Sequence, residues 1–314
     1  MKKLAILLLG FTLTFSSYAG EKKQSVAEHL QNVSVTIRSE GAFSAGEGSG
    51  VIFTRKDSKG NLVNFIWTAA HVIDNLRLTK RVLVDGTYKT VVHFKDPVVI
   101  KEIRQNGRTV GRLQMDAEVL KYSESEDGHD LALLRVRKLN FVTDSVVFYL
   151  DEPIPPLGTD LLHVGSLLGQ MGANSMTDGI YSQHGRILKN LNKHVFDQTT
   201  CTAFPGSSGG GVFLTDGRYV GMLVRGAGEG FNLIVPVRRM ERWAKKHNVM
   251  WALDDSVPMP SLDELDELPI EAAGPSKRSK KSDEEKAALK SLPFLIKIMP
   301  ASGQSTLESE LIKR

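Results

Sequence analysis

The sequence predicts an all-β protein of two similar halves closed by one helix, and three observations carry that expectation. Short alternating runs recur from residue 33 to 235, separated by Gly, Asp, Asn and Pro, the punctuation of a sandwich or barrel. Pro153, Pro155 and Pro156 stand near the midpoint and read as a connection between the halves. Residues 237–247 alone switch to a helical period, with Val237, Met240, Trp243 and Ala244 on one face and Arg238, Arg239, Glu241, Arg242, Lys245 and Lys246 between them.

In order along the chain, Lys2 and Lys3 precede an apolar run over residues 4–15, followed by Ser17-Tyr18-Ala19. This reads as a secretory signal over residues 1–19 with cleavage after Ala19; the run is short for a spanning helix. The product is expected in the periplasm or outside the cell, without stable membrane insertion. Strands are expected at 33–37, 50–53 and 63–67, the last two across a polar loop at 57–60, then at 110–119, 131–136, 145–150 and 161–165. Further strands fall at 211–214, 219–224 and 233–235. The domain spans 20–251, its halves about 30–150 and 151–237. After Trp251, Pro258, Pro260, Pro269 and Pro275 interrupt acidic and then basic clusters. Residues 252–314 bury too little apolar surface to offset chain entropy and are expected to be disordered. Within them, 283–290 suit a short helix, and 293–299 form an apolar patch that reads equally as a docking segment or as inert.

The net charge of +4 is small for 314 residues, so nucleic acid is not the default partner. Cys201 is the only cysteine, so no intrachain disulfide can form. With no basic partner nearby it reads as a small buried apolar residue.

Three segments carry chemistry: Thr68-Ala69-Ala70-His71, then Asp130-Leu131-Ala132-Leu133-Leu134, then Phe204-Pro205-Gly206-Ser207-Ser208-Gly209-Gly210. A serine hydroxyl is a poor nucleophile unless a neutral imidazole takes its proton and a carboxylate holds that imidazole. His71 is the candidate base, because a strand runs into the small residues Ala69 and Ala70 just before it. Asp130 is the candidate acid, placed where the polar loop 123–129 enters an apolar strand; Asp127 is its rival. Ser208 is the candidate nucleophile, with Ser207 as the alternative. Gly206 permits a tight turn, and the Gly206 and Ser208 N–H groups would form an oxyanion hole.

With these residues in hand, the chain resembles the trypsin-like serine proteases, and within them the protease domain of the bacterial HtrA (Do-like) family. Gly48-Ser49-Gly50-Val51-Ile52 is similar to that family's opening strand. Met176-Thr177-Asp178-Gly179-Ile180-Tyr181-Ser182 with Gly185-Arg186, and Asp216-Gly217-Arg218-Tyr219-Val220-Gly221, resemble later segments, so the similarity runs over residues 33–247. The resemblance implies two six-stranded antiparallel β-barrels of the chymotrypsin-like fold, with the site between them. It also implies peptide-bond hydrolysis through an acyl-enzyme on polypeptide substrates, with no metal or cofactor. No PDZ domain is recognisable in the tail. Ser207 stands where the superfamily commonly has Asp or Asn, which argues against activation by a new N-terminus.

Thr202 falls where trypsin-like enzymes keep their pocket-floor acid, so a basic residue at the cleaved position is not expected. Val224, Arg225 and Gly226 resemble the strand that pairs with substrate. A small-to-medium apolar preference follows, with Arg225 either favouring an acidic neighbour in the substrate or simply solvated. Besides an exported endopeptidase in protein quality control, the residues allow a silent or latent peptide-binding, chaperone-like protein, and an esterase on the same site.

Overall fold

The computed structural model describes residues 24–271, apart from 85, 106, 127, 151–152, 189–193 and 227–229. The expected signal over 1–19, the rival acid Asp127, and the helix and apolar patch expected at 283–290 and 293–299 lie outside the described residues.

A short helix α1 (Val26–Asn32) comes first, started by a capping box in which Ser25 and Glu28 exchange side-chain and backbone hydrogen bonds. Then follow β1 (Ser34–Glu40), β2 (Ala45–Lys56), β3 (Leu62–Thr68), β4 (Arg77–Val84), β5 (Thr87–Phe94), β6 (Val98–Gln105), β7 (Arg108–Ser123) and β8 (Leu131–Val136). The second half holds β9 (Asp160–Leu167), β10 (Gly172–Ile187), β11 (Val195–Thr199), β12 (Gly211–Leu214), β13 (Tyr219–Gly226) and β14 (Asn232–Pro236). Helices α2 (Val237–Lys246) and α3 (Leu262–Asp266) follow.

Two closed barrels result, in the orders β1-β2-β3-β8-β7-β6 and β10-β11-β14-β13-β12-β9. The first is registered through Ser34 opposite Val51, Val51 opposite Trp67 and Trp67 opposite Leu133. Closure removes free sheet edges. β4 and β5 form a separate two-stranded hairpin after the His71 segment. The expected strand over 145–150 is reduced to a single bridge from Phe148 to Tyr219, because this stretch is the crossing between barrels and has no continuous neighbour to pair with.

The helix expected at 237–247 forms as α2, with Met240 and Ala244 fully buried and Trp243 edge-on to Trp67 at 5.9 Å. Behind it Asp197, fully buried, accepts from both terminal nitrogens of Arg238 at 2.5 Å, from Tyr181 at 3.0 Å and from the Gly185 N–H at 3.0 Å. This satisfied carboxylate staples helix to barrel.

Disorder from residue 252 is corrected for 252–271. Trp251 packs on Phe65 at 4.9 Å, and the Ala252 carbonyl accepts from the Trp67 indole at 3.0 Å. Leu265 of α3 is 1% exposed, and α3 has its own capping box from Ser261 and Glu264. The Pro269 carbonyl accepts from Lys121 at 2.7 Å, and Glu271 pairs with Arg77 through two hydrogen bonds. Few apolar residues suffice here because the barrel supplies the surface they bury. Among the described residues, no helix is long and apolar enough to cross a membrane.

Candidate active site

β3 ends at Thr68, and a 3-10 turn (Ala70–Val72) carries His71 out of the barrel. The flanking Ala69 and Ala70 are fully buried. The turn lies against Gly48, where a β-carbon would fall 2.5 Å from a Val72 methyl. The close approach of β2 therefore requires glycine at that position.

Asp130 is 2% exposed and has φ 56°, an unusual angle that Asp tolerates better than most residues. Its N–H is tied to the Glu124 carbonyl at 3.1 Å, closing the loop that aims the carboxylate inward. That carboxylate accepts three contacts from His71: the backbone N–H at 3.1 Å and ring Nδ1 at 3.0 Å to each oxygen. With Nδ1 donating, Nε2 is left as the proton acceptor, the tautomer a general base needs. Burial alone would push the Asp130 carboxyl up. The His71 ring beside it, its hydrogen bond and the Arg225 guanidinium outweigh that and hold it below its ordinary value.

The nucleophile turn is held from both barrels. Ser49 of β2 donates its N–H to the Ser208 carbonyl at 2.7 Å and its hydroxyl to the Gly206 carbonyl at 2.7 Å. The Ser49 hydroxyl also accepts from the Ser166 N–H at 2.7 Å, and the Ser49 carbonyl accepts from Thr68. The Leu168 N–H, just after β9, donates to the Pro205 carbonyl at 2.7 Å. In a trans peptide C=O and N–H point opposite ways, so this bond turns the Gly206 N–H away from Leu168. Gly206 has φ 94°, and its N–H and that of Ser208 donate to no protein acceptor among the described residues. Two free backbone donors beside a serine are what a developing oxyanion requires.

The Ser208 side chain makes a 3.4 Å contact to the Val224 carbonyl rather than a hydrogen bond to His71. Catalytic bonds between a nucleophile and its base are often loose before substrate binds. Ser207 is fully buried and its oxygen accepts from the Phe204 N–H at 3.1 Å, so it is spent inside the turn. Cys201 is fully buried, its thiol pushed up to about 11 by burial.

Of the expected substrate residues, Thr202 offers its carbonyl to the Thr177 hydroxyl at 2.9 Å, and the Val224 side chain is 2% exposed. Gly226 lies opposite Asn232, whose Oδ1 would be 2.4 Å from a β-carbon placed there. Asn232 is fully buried, donates to the Cys201 carbonyl at 2.7 Å, and leaves Oδ1 without a partner. Ser49 and Asn232 escaped the sequence reading; a lone Ser or Asn in a strand has no local signal, and only the close approach of other segments gives each its role. Arg225 is turned inward, correcting the alternative that it is simply solvated. Its guanidinium is 4.0 Å from Asp130 and donates to the Ser125 carbonyl at 3.3 Å. Among the described residues no group of three or more His, Cys, Asp or Glu could hold a metal ion.

The family model described as "Trypsin-like peptidase domain" matches residues 48–222, over half of the chain and from the Ser49 strand through the nucleophile. The chain belongs to the trypsin-like peptidase family. The fold is similar to that of the serine endoprotease from Yersinia pestis, at 21% identity and TM-score 0.51 over 72% of this chain and 65% of that one. It is similar also to the HtrA-type protease AlgW with tripeptide, at 18% and 0.51 over 73% and 64%. A third neighbour is Deg5, at 19% and 0.51 over 72% and 93%. The chain thus spans under two thirds of the length of the first two. No curated protein matches it in sequence.

Proposed function

We propose that this trypsin-like peptidase is an exported endopeptidase that cleaves exposed or unfolded polypeptide, in the periplasm or outside the cell, as part of protein quality control. Ser208 attacks the scissile carbonyl, His71 Nε2 takes the hydroxyl proton and returns it to the leaving amine, and Asp130 orients and stabilises the imidazolium. The Gly206 and Ser208 N–H groups receive the oxyanion; water then hydrolyses the acyl-enzyme by the same proton path. The observation that carries this reading is the buried Asp130 carboxylate on His71 Nδ1, at 3.0 Å, in a site with two free backbone donors. Export is supported by the basic-then-apolar start of the sequence and by the small residues at 17–19.

A second reading, a latent or peptide-binding protein on the same fold, is favoured by one observation: the Ser208 hydroxyl rests on the Val224 carbonyl. Fluorophosphonate labelling of residues 20–314, with mass mapping and a Ser208→Ala control, separates the two. Labelling at Ser208, lost in the control, is expected. A folded protein that resists the probe overturns the enzyme reading and leaves the binding one.

A further inference from the structure

We infer that Arg225 is a positioning residue for the acid of the triad, its buried guanidinium holding the Asp130 carboxylate in place against His71. The inference rests on the triad reading above. β13 and β14 shift register between Leu223 and Arg225, so the regular alternation of the strand is broken there. An irregularity of this kind re-aims the side chain that follows it. Arg225 follows the shift, and its side chain is turned inward. Its side chain is only 9% exposed, with one terminal nitrogen on the Ser125 carbonyl and the same nitrogen 4.0 Å from the outer oxygen of Asp130. The Ser125 carbonyl belongs to the loop that delivers Asp130, so the guanidinium grips both loop and carboxylate.

A buried cation survives where a buried anion compensates it, and the anion 4.0 Å from this one is the catalytic carboxylate. The other charged groups near Asp130 divide into distinct tasks. His71 takes the carboxylate's hydrogen bonds, Arg239 of α2 binds the His129 carbonyl at 2.6 Å, and Asp74 is hydrogen-bonded by Tyr122. Arg225 is the cation that reaches the carboxylate from β13. In this role Arg225 acts through Asp130 rather than on the reacting atoms.

The two roles for Arg225 differ in what they do to kinetics. A substrate contact makes Arg225→Met raise KM for peptides with acidic residues. A positioning role lowers kcat by about tenfold for acidic and neutral peptides alike, with KM unmoved, and slows fluorophosphonate labelling by the same factor. Arg225→Lys keeps the charge and is expected to recover part of the loss. In an Asp130→Asn background, Arg225→Met should cost nothing further, since the charge it serves has gone. Circular dichroism and thermal melts of each variant establish folding, and if Arg225→Met fails to fold the Lys variant in both backgrounds carries the comparison. Wild-type rates in a folded Arg225→Met protein, a loss confined to KM, or full additivity of either variant with Asp130→Asn overturns the inference. Failure of the wild type to label at all overturns the triad reading instead.

Discussion

His163 lies under the nucleophile turn and should make this fold sensitive to mild acid. It is fully buried on β9, its Nδ1 donates to the Gly211 carbonyl at 3.0 Å, and its Nε2 has no partner. A β-carbon on Gly165 would be 2.9 Å from that nitrogen, and one on Gly210 would be 2.7 Å from the adjacent ring carbon, so both glycines pack closely against the ring. Burial pushes the imidazole down to about 4, the bond to Gly211 opposing it only in part. Between pH 6.5 and 4 the unfolded chain therefore binds a proton that the folded protein refuses. Stability is complete above pH 6.5 and falls as pH drops toward 4. The linkage integral gives a loss of about 2 kcal/mol between pH 7.5 and pH 5, and about 3 kcal/mol by pH 4. His163→Leu removes the titration. It also forfeits the Gly211 hydrogen bond, at about 1 kcal/mol, but that cost is the same at every pH. Urea unfolding of both proteins at pH 7.5 and pH 5 reads the difference of differences. His129, pushed down to about 3 chiefly by burial, adds to the acid loss in both proteins and cancels. An equal loss on acidification in wild type and His163→Leu would refute the argument.

Gly206→Ala should all but stop the enzyme. A β-carbon there would sit 2.2 Å from the Ser166 carbonyl oxygen and 2.7 Å from the Gly169 nitrogen, both backbone, and at φ 94°. The oxyanion peptide must shift, and kcat is expected to fall by about a hundredfold or more; peptide hydrolysis at saturating substrate checks this, with unchanged kcat as the contrary result. Asn232→Ala should deepen the space beneath Gly226 and raise the preference for Leu or Phe over Ala at the cleaved position by about tenfold. A peptide-library cleavage profile indistinguishable from wild type would exclude Asn232 as a determinant of pocket depth.

Local chemistry made much of the candidate site legible. Ala69 and Ala70 before His71, and Gly206, Gly209 and Gly210 around Ser208, announce tight turns that only small residues permit, and the structure uses them so. Short strand-like runs between turn residues made the β class legible as a sandwich or barrel; the two closed barrels were expected only from the family resemblance, and β6, β10 and β11 were not among the expected strands. The hairpin β4–β5 was missed because Lys and Arg interrupt its apolar residues and Leu83 and Tyr88 remain 61% and 68% exposed, so neither face reads as buried. Residues 252–271 read as chain without a core because the partners that bury Leu265 and hold Glu271 lie far back in sequence, at the first barrel and at Arg77.

By itself the sequence determined the strand-rich class, the closing helix, and the identity and order of His71, Asp130 and Ser208 as candidates, because each depends on residue type and near-neighbour spacing. Only the tertiary structure decided that Ser49 ties the nucleophile turn to the first barrel, that Asn232 fills the space below Gly226, and that a register shift turns Arg225 inward onto Asp130. Those roles come from segments far apart in the chain meeting across closed barrels. A register shift of one residue, invisible in composition or period, reverses the face a side chain occupies.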